Sequence, residues 1–324
     1  MLNVFLFTGG YTGESVISYR TAETFKKHLD KGKYRVITID IKRDGWNAFV
    51  AEKPAEFNHE ICQVRSGDTT YTADVALIAL HGPPGENGWL QGYLEMRSIP
   101  FTTGSTLCMS LSFNKKFSID IASKNGIKTA DSVLLTHPKK VDYTRLQSRF
   151  AYPLFVKPND SGSSLGISKV KKPEDLQKAV ELAFSEGKEV MVEELLTGTE
   201  VTCGVYRSLD KLIALPPTEI RSHNEFFDFN AKYNHASDEI TPAEISDEAT
   251  TNVQEAAKKI YNIFNCKGVI RVDFMVSEEG TPYLIELNTV PGMSGESIVP
   301  QQLNTAGIPF TEMLDDIIDE ALAQ

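Results

Sequence analysis

The sequence predicts an α/β protein with α+β elements, built as three domains and opening on a parallel sheet. Three observations carry this. The 324 residues exceed what one hydrophobic core normally organises, so two or three packed domains are expected. Residues 1–103 alternate apolar runs with a helical segment, the pattern of parallel strands joined by crossover helices. Residues 104–195 change character, a helix leading to a run of strands, and from 196 onward come strands, a long polar stretch and a helix. These changes place domains at 1–103, 104–195 and 196–324.

In the first domain the apolar runs 2–7, 34–40 and 75–80 read as strands, and 15–29, opened by Thr12-Gly13-Glu14, as a helix. Ligands of such sheets sit at the carboxyl ends of the strands. Two glycine-bearing loops fall there: Gly9-Gly10-Tyr11-Thr12-Gly13-Glu14 and His81-Gly82-Pro83-Pro84-Gly85-Glu86-Asn87-Gly88. In the second domain a helix over about 112–124 precedes strands at 132–135, 154–157 and 166–170. Leu176, Ala179, Val180 and Ala183 then mark an amphipathic helix, followed by a strand at 189–195. The third has strands at 200–206 and 212–215, a long polar stretch over 218–241, and a helix with Val253, Ala256, Ala257, Ile260 and Phe264 on one face. A polar loop of that length reads as a lid or as disorder.

Composition narrows the function classes. With 33 basic and 44 acidic side chains the net charge is −11, opposite to the bias of a nucleic-acid binder. Any bound phosphate must be held locally, by a few lysines, backbone N–H groups and metal. No apolar run approaches the ~20 residues of a membrane helix. Met1-Leu2-Asn3 lacks a basic n-region, so the start reads as a buried strand and not a secretory signal. Cys62, Cys108, Cys203 and Cys266 form no C-x-x-C pair, which fits a reduced, cytoplasmic setting.

The most informative segment is 268–288. Ile270, Val272, Phe274 and Val276 alternate on one strand face, which puts Arg271 and Asp273 on the other. Ser277-Glu278-Glu279-Gly280 makes a turn. In the returning strand Tyr283, Ile285 and Leu287 form an apolar face, with Glu286 and Asn288 opposite, beside Leu284. Folding the hairpin brings Arg271, Asp273, Glu286 and Asn288 together. Two carboxylates and an amide oxygen suit Mg²⁺, with a cation ready for phosphate. A solvated face with a surface ion pair fits the same pattern.

Other segments carry the same double reading. Lys157-Pro158-Asn159-Asp160-Ser161-Gly162-Ser163-Ser164-Leu165-Gly166 offers N–H and O–H donors and a positive charge, as a phosphate cradle or as a plain glycine-rich hairpin. It is not G-x-x-x-x-G-K-[ST], and G-x-G-x-x-G is also missing near Gly9, Gly10 and Gly13. Glu14 by its spacing reads as a helix-start carboxylate favoured by the helix dipole. His81 stands at a strand end in a Gly/Pro loop, and Lys115 by itself reads as a solvated helix lysine.

Glu286-Leu287-Asn288-Thr289-Val290-Pro291-Gly292-Met293 resembles the E-x-N-x-x-P-G-M signature of ATP-grasp enzymes, in the form found in D-alanine–D-alanine ligases. The segment 157–166 resembles that family's K-P-x-x-x-G-S-S-x-G lid. Glu14 falls in a G-G-x-S-x-E-like start, His81 in H-G-x-x-G-E-D-G with Asn87 in place of Asp. Asp228-Phe229-Asn230-Ala231-Lys232-Tyr233 is similar to D-Y-x-x-K-Y. The likeness spans the whole chain in family order.

The resemblance implies a three-domain ATP-grasp fold and ATP-dependent joining of two D-alanines through an acyl phosphate, for peptidoglycan precursors. It implies two Mg²⁺ (or Mn²⁺) on Asp273, Glu286 and Asn288. Nucleotide contacts fall to Lys115, Lys157, Ser163, Ser164, Glu193, Glu194, Leu196, Glu200 and Lys232. Glu14, Ser163 and Tyr233 form a set closing over substrate, with His81 nearby. Arg271 and the Gly292 N–H face the oxyanion, and Ser297 with Ile298 takes the second substrate's carboxylate. A cytoplasmic homodimer acting on D-alanine and ATP, without nucleic acid or membrane, completes the expectation. Gly295-Glu296 departs from the family pattern. A ligase for D-serine or D-lactate, or a non-catalytic nucleotide-binding module, stands as the alternative.

Overall fold

The computed structural model describes residues 1–160, 166–222 and 237–323. The first unit runs β1 (Leu2–Gly9), α1 (Ser15–His28), β2 (Tyr34–Lys42), β3 (Gly45–Val50), β4 (Lys53–Asn58), β5 (Gln63–Ser66), β6 (Thr69–Thr72), β7 (Val75–Ile78) and α2 (Trp89–Met96). Sheet order is β6-β5-β4-β3-β2-β1-β7. The three expected strands pair in parallel, β1 lying between β2 and β7. Residues 45–72 differ from a purely parallel sheet: they fold as an antiparallel meander continuing from β2. β1 is a continuous apolar run from Val4 to Phe7 because both faces are covered there. Val4 and Leu6 face α1, while Phe5 and Phe7 face the core that holds Leu90 and Leu94 of α2.

Next come α3 (Thr106–Phe113), α4 (Lys115–Lys124), β8 (Lys128–Thr129), β9 (Ser132–Leu135), α5 (Tyr143–Arg149), β10 (Leu154–Pro158), β11 (Ser168–Val170), α6 (Leu176–Glu186) and β12 (Val190–Glu194). The single helix expected over 112–124 is two helices broken at Asn114, which ends one and caps the other by accepting from the Phe117 N–H at 3.0 Å. Strands β11-β10-β12-β9 form an antiparallel sheet. Leu176, Ala179, Val180 and Ala183 of α6 pack on it as their spacing predicts.

The remainder is β13 (Thr199–Ser208), β14 (Lys211–Ala214), β15 (Thr218–Ser222), β16 (Ser237–Ile240), α7 (Asp247–Ile263), β17 (Ile270–Val276), β18 (Pro282–Asn288), α8 (Ile298–Thr305) and α9 (Phe310–Leu322). The third sheet has order β16-β15-β13-β17-β18-β8, with β14 on β13. The polar stretch 218–241 is therefore not all loop, since both of its ends are strands. Val253, Ala257 and Ile260 of α7, with Phe264 just past its end, cover one face of this sheet together with residues of α3 and α4. α8 and α9 turn back and bury Val299, Leu303, Leu314 and Ile318 in the same core as Val4, Leu6 and Phe25. That shared core sets the third sheet against the first and fixes the cavity between them.

Candidate active site

The strands β17 and β18 pair with Arg271 opposite Asn288 and Asp273 opposite Glu286. Side chains directly opposite share a face, and all four line one cavity of about 790 Å³, within the usual range for small-molecule sites. The register then shifts, Phe274 pairing with Leu284. Ile285 is thus an extra residue, a β-bulge. This corrects the regular alternation: Leu284 is buried in the core beside Phe274, and Ile285 turns to the cavity instead.

Asp273 is held on both oxygens. Arg271 donates through Nε to Oδ1 and through Nη2 to Oδ2, each at 2.8 Å, and Thr202 Oγ1 donates to Oδ1 at 2.5 Å. Burial works against the Arg271 charge, but the Asp273 carboxylate outweighs it. With Glu286 and Glu239 it raises the guanidinium pKa above its ordinary value. Glu286 meets Lys115 Nζ at 3.5 Å. Lys115 is placed by Asn159, whose carbonyl accepts from the Lys115 N–H at 3.2 Å and whose Oδ1 accepts from the Lys116 N–H at 2.8 Å. These satisfy amides that a helix start leaves unpaired.

The second sheet supplies the opposite wall. Lys157 Nζ lies 2.6 Å from Glu193 Oε1, and both side chains are nearly buried. Glu194 accepts from the Asp131 N–H at 2.8 Å. Glu193, Glu194, Leu196 and Glu200 all line the cavity, with Phe155 and Met275. At the first sheet's end lie Glu14 and His81. His81 is buried, its Nε2 3.0 Å from Thr21 Oγ1 and its N–H donating to Ser18 Oγ at 2.9 Å. Gly82, at φ +67°, lets this loop close on Glu14: a Cβ there would stand 2.6 Å from Glu14 Oε2. Gly292, Ser297 and Ile298 complete that end, and Ser297 Oγ is 2.8 Å from Ser294 Oγ.

Ser163, Ser164, Lys232 and Tyr233 lie outside the described residues. Every other candidate residue converges on the one cavity. Sequence reasoning missed Thr202, Thr21 and Asn159. Thr202 stands directly opposite Asp273 in the β13–β17 pairing, which no local pattern reveals. Asn159 sits inside the lysine–serine segment, where only its helix partner gives it meaning. Among the described residues no cluster of three or more His, Cys, Asp and Glu is placed to hold a metal. The oxygen set here is two carboxylates and an amide.

Residues 3–105 match the family model for the D-ala D-ala ligase N-terminus and 121–319 that for its C-terminus. A D-alanine–D-alanine ligase of Porphyromonas gingivalis is 45% identical over 98% of this chain and 97% of its own length. One from Bacteroides fragilis is 38% identical over 98% of each. Among solved structures, VanG D-Ala:D-Ser ligase from Enterococcus faecalis superposes with TM-score 0.89 at 32% identity, covering 98% of both chains. The D-alanine–D-alanine ligase from Bacillus anthracis complexed with ATP gives 0.78 at 28% identity, covering 100% of this chain and 98% of that one. The chain, with its three sheets around one cavity, belongs to the D-alanine–D-alanine ligase family and has the ATP-grasp fold.

Proposed function

We propose that this chain joins two D-alanines into D-alanyl-D-alanine at the expense of ATP, through an acyl phosphate, for peptidoglycan precursors. The observation that carries the reading is the β17–β18 pairing, which sets Arg271, Asp273, Glu286 and Asn288 on one cavity face inside a chain of this family. A carboxylate is a poor electrophile. Transfer of the γ-phosphoryl group to the first D-alanine's carboxylate releases ADP and makes an acyl phosphate with a good leaving group. The second D-alanine's amine then attacks the carbonyl, phosphate leaves, and the amide bond forms.

The residues divide this work. Asp273, Glu286 and Asn288 form an all-oxygen, net-negative donor set that fits Mg²⁺ or Mn²⁺, two ions in our reading; bound there, the metal neutralises phosphate charge. Lys115 and Lys157 add point charges toward the phosphates, and Glu193, Glu194, Leu196 and Glu200 hold base and ribose. Ser163, Ser164 and Lys232 join the nucleotide side. Glu14 takes the first ammonium group, with His81, Ser163 and Tyr233 around it. Arg271 and the Gly292 N–H stabilise the tetrahedral oxyanion, one such donor being worth roughly 3 kcal/mol. Ser297 and Ile298 receive the second substrate. We read the domains as 1–103, 104–195 and 196–324, and the protein as a cytoplasmic homodimer working without nucleic acid or membrane. Its acidic charge supports that setting, as do its four free cysteines and the lack of any long apolar helix among the described residues.

A second reading, D-alanine to D-serine, is favoured by the likeness to a D-Ala:D-Ser ligase and by Glu296 at the second-substrate end. One assay separates the two. Purified protein with ATP and D-alanine should release ADP in step with D-alanyl-D-alanine, and equimolar D-serine should not divert the product. ADP release without that dipeptide would sink the ligase reading, and a mixed product dominated by serine would move it to the second.

A further inference from the structure

Helix α8 meets the cavity only at its N-terminal end, through Ile298 and Val299 next to Ser297. Its inward face is Val299, Gln302 and Leu303. The two aliphatic side chains join the core beneath the first sheet. Gln302 brings a carboxamide in beside them at 0% exposure. A buried amide is unfavourable unless its hydrogen bonds are made, and here they are. Oε1 accepts from the Gly204 N–H at 2.9 Å, and Nε2 donates to the Thr202 carbonyl at 2.8 Å and to Thr218 Oγ1 at 3.0 Å. An aliphatic residue of similar size would fill the space but take this partner from the Gly204 N–H and the Thr202 carbonyl, so what the amide adds is a directed tie between α8 and β13.

That direction leads to the reacting centre. Thr202 is the residue whose hydroxyl holds Asp273, and its own carbonyl is the one Gln302 grips. Gly204 makes the approach possible, because a Cβ there would stand 2.7 Å from Gln302 Oε1. We infer that Gln302 is a positioning residue: it sets α8, and with it Ser297 and Ile298, at a defined distance from the Arg271–Asp273 pair and so tunes binding of the second D-alanine. The inference rests on the ligase reading above.

The test uses the full chain with ATP and D-alanine, over concentrations wide enough to resolve a KM for each D-alanine. Gln302→Leu removes all three hydrogen bonds. Gln302→Met, unbranched and adaptable, serves if the leucine does not fold. The expected result is a KM for the second D-alanine raised about tenfold, the scale of one lost buried hydrogen bond, with the first D-alanine's KM and that of ATP unchanged. Gly204→Ala, which crowds the carboxamide, should move the same constant in the same direction. All KM values rising together, or a lower melting temperature with every KM at its wild-type value, would reduce Gln302 to packing and overturn the inference. If the wild type makes no dipeptide, the ligase reading fails first and this inference falls with it.

Discussion

Lys115 and Lys116 open α4, where the helix dipole disfavours positive charge. Lys116 is offset by Asp120 one turn on. Lys115 instead reaches across to Glu286 on β18, so its placement answers to the cavity and not to the helix. The same holds for Lys157, whose charge is kept nearly buried by Glu193; with one partner removed, the other would be left as a costly lone charge. Glu286 itself is only half-buried, which separates its chemistry from stability. Glu286→Gln should therefore leave the unfolding midpoint within experimental error while lowering turnover by roughly 10²–10³-fold, the scale of losing one preorganised charge. Steady-state ADP release beside a denaturation curve checks this, and near-normal activity would remove the hairpin from the mechanism.

At the scale of the element, the bulge in β18 decides which aliphatic residue supports the fold and which shapes the site. In a regular hairpin Ile285 would face the core and Leu284 the cavity. With Phe274 opposite Leu284 the assignment reverses. Leu284→Ala should then cost about 2–5 kcal/mol, as for a core cavity. Ile285→Ala should cost under about 1 kcal/mol but change substrate KM, because a half-exposed wall contributes little to folding. Urea denaturation of the two variants measures both, and a reversed order of costs would refute the bulged register. The break at Asn114 acts similarly: without it the Lys115 and Lys116 N–H groups would bond within a continuous helix, and Asn159 could not place them.

At the scale of the whole molecule, the active centre spans separate sheets, and one loop joins them. Met293 follows Gly292 and is buried in the core shared by α1, α8 and α9. Its N–H donates to Thr21 Oγ1 at 3.3 Å, the hydroxyl that also meets His81 Nε2 at 3.0 Å. The Gly292–Met293 loop and the His81 loop are thus referred to a single threonine on α1. Met293→Ala should lower stability by about 2–5 kcal/mol and weaken D-alanine binding as well, because the cavity it leaves releases the Gly292 backbone. Calorimetry and the D-alanine saturation curve test the pair. A stability loss with unchanged D-alanine KM would confine Met293 to packing.

Local geometry explains what could be read from residues alone. The period of two along 270–276 put Arg271 and Asp273 on one face, and the 3.6-residue period of α6 and α7 named their buried sides correctly. The parallel strands β1, β2 and β7 were legible because strands covered on both faces read as largely apolar runs, as at Val4–Phe7 and Val75–Ile78. The meander at 45–72 was not, since exposed positions such as Lys53, Pro54 and Thr69 break the apolar signal. Nor could any local pattern reveal the bulge at Ile285, the threonine opposite Asp273, or the glutamine buried in α8. Those depend on which remote surface arrives to cover a residue and which polar group it brings. The sequence by itself determined the chemistry of the side chains and the faces they share; tertiary structure alone decided their partners, because register and burial are set by contacts far apart along the chain.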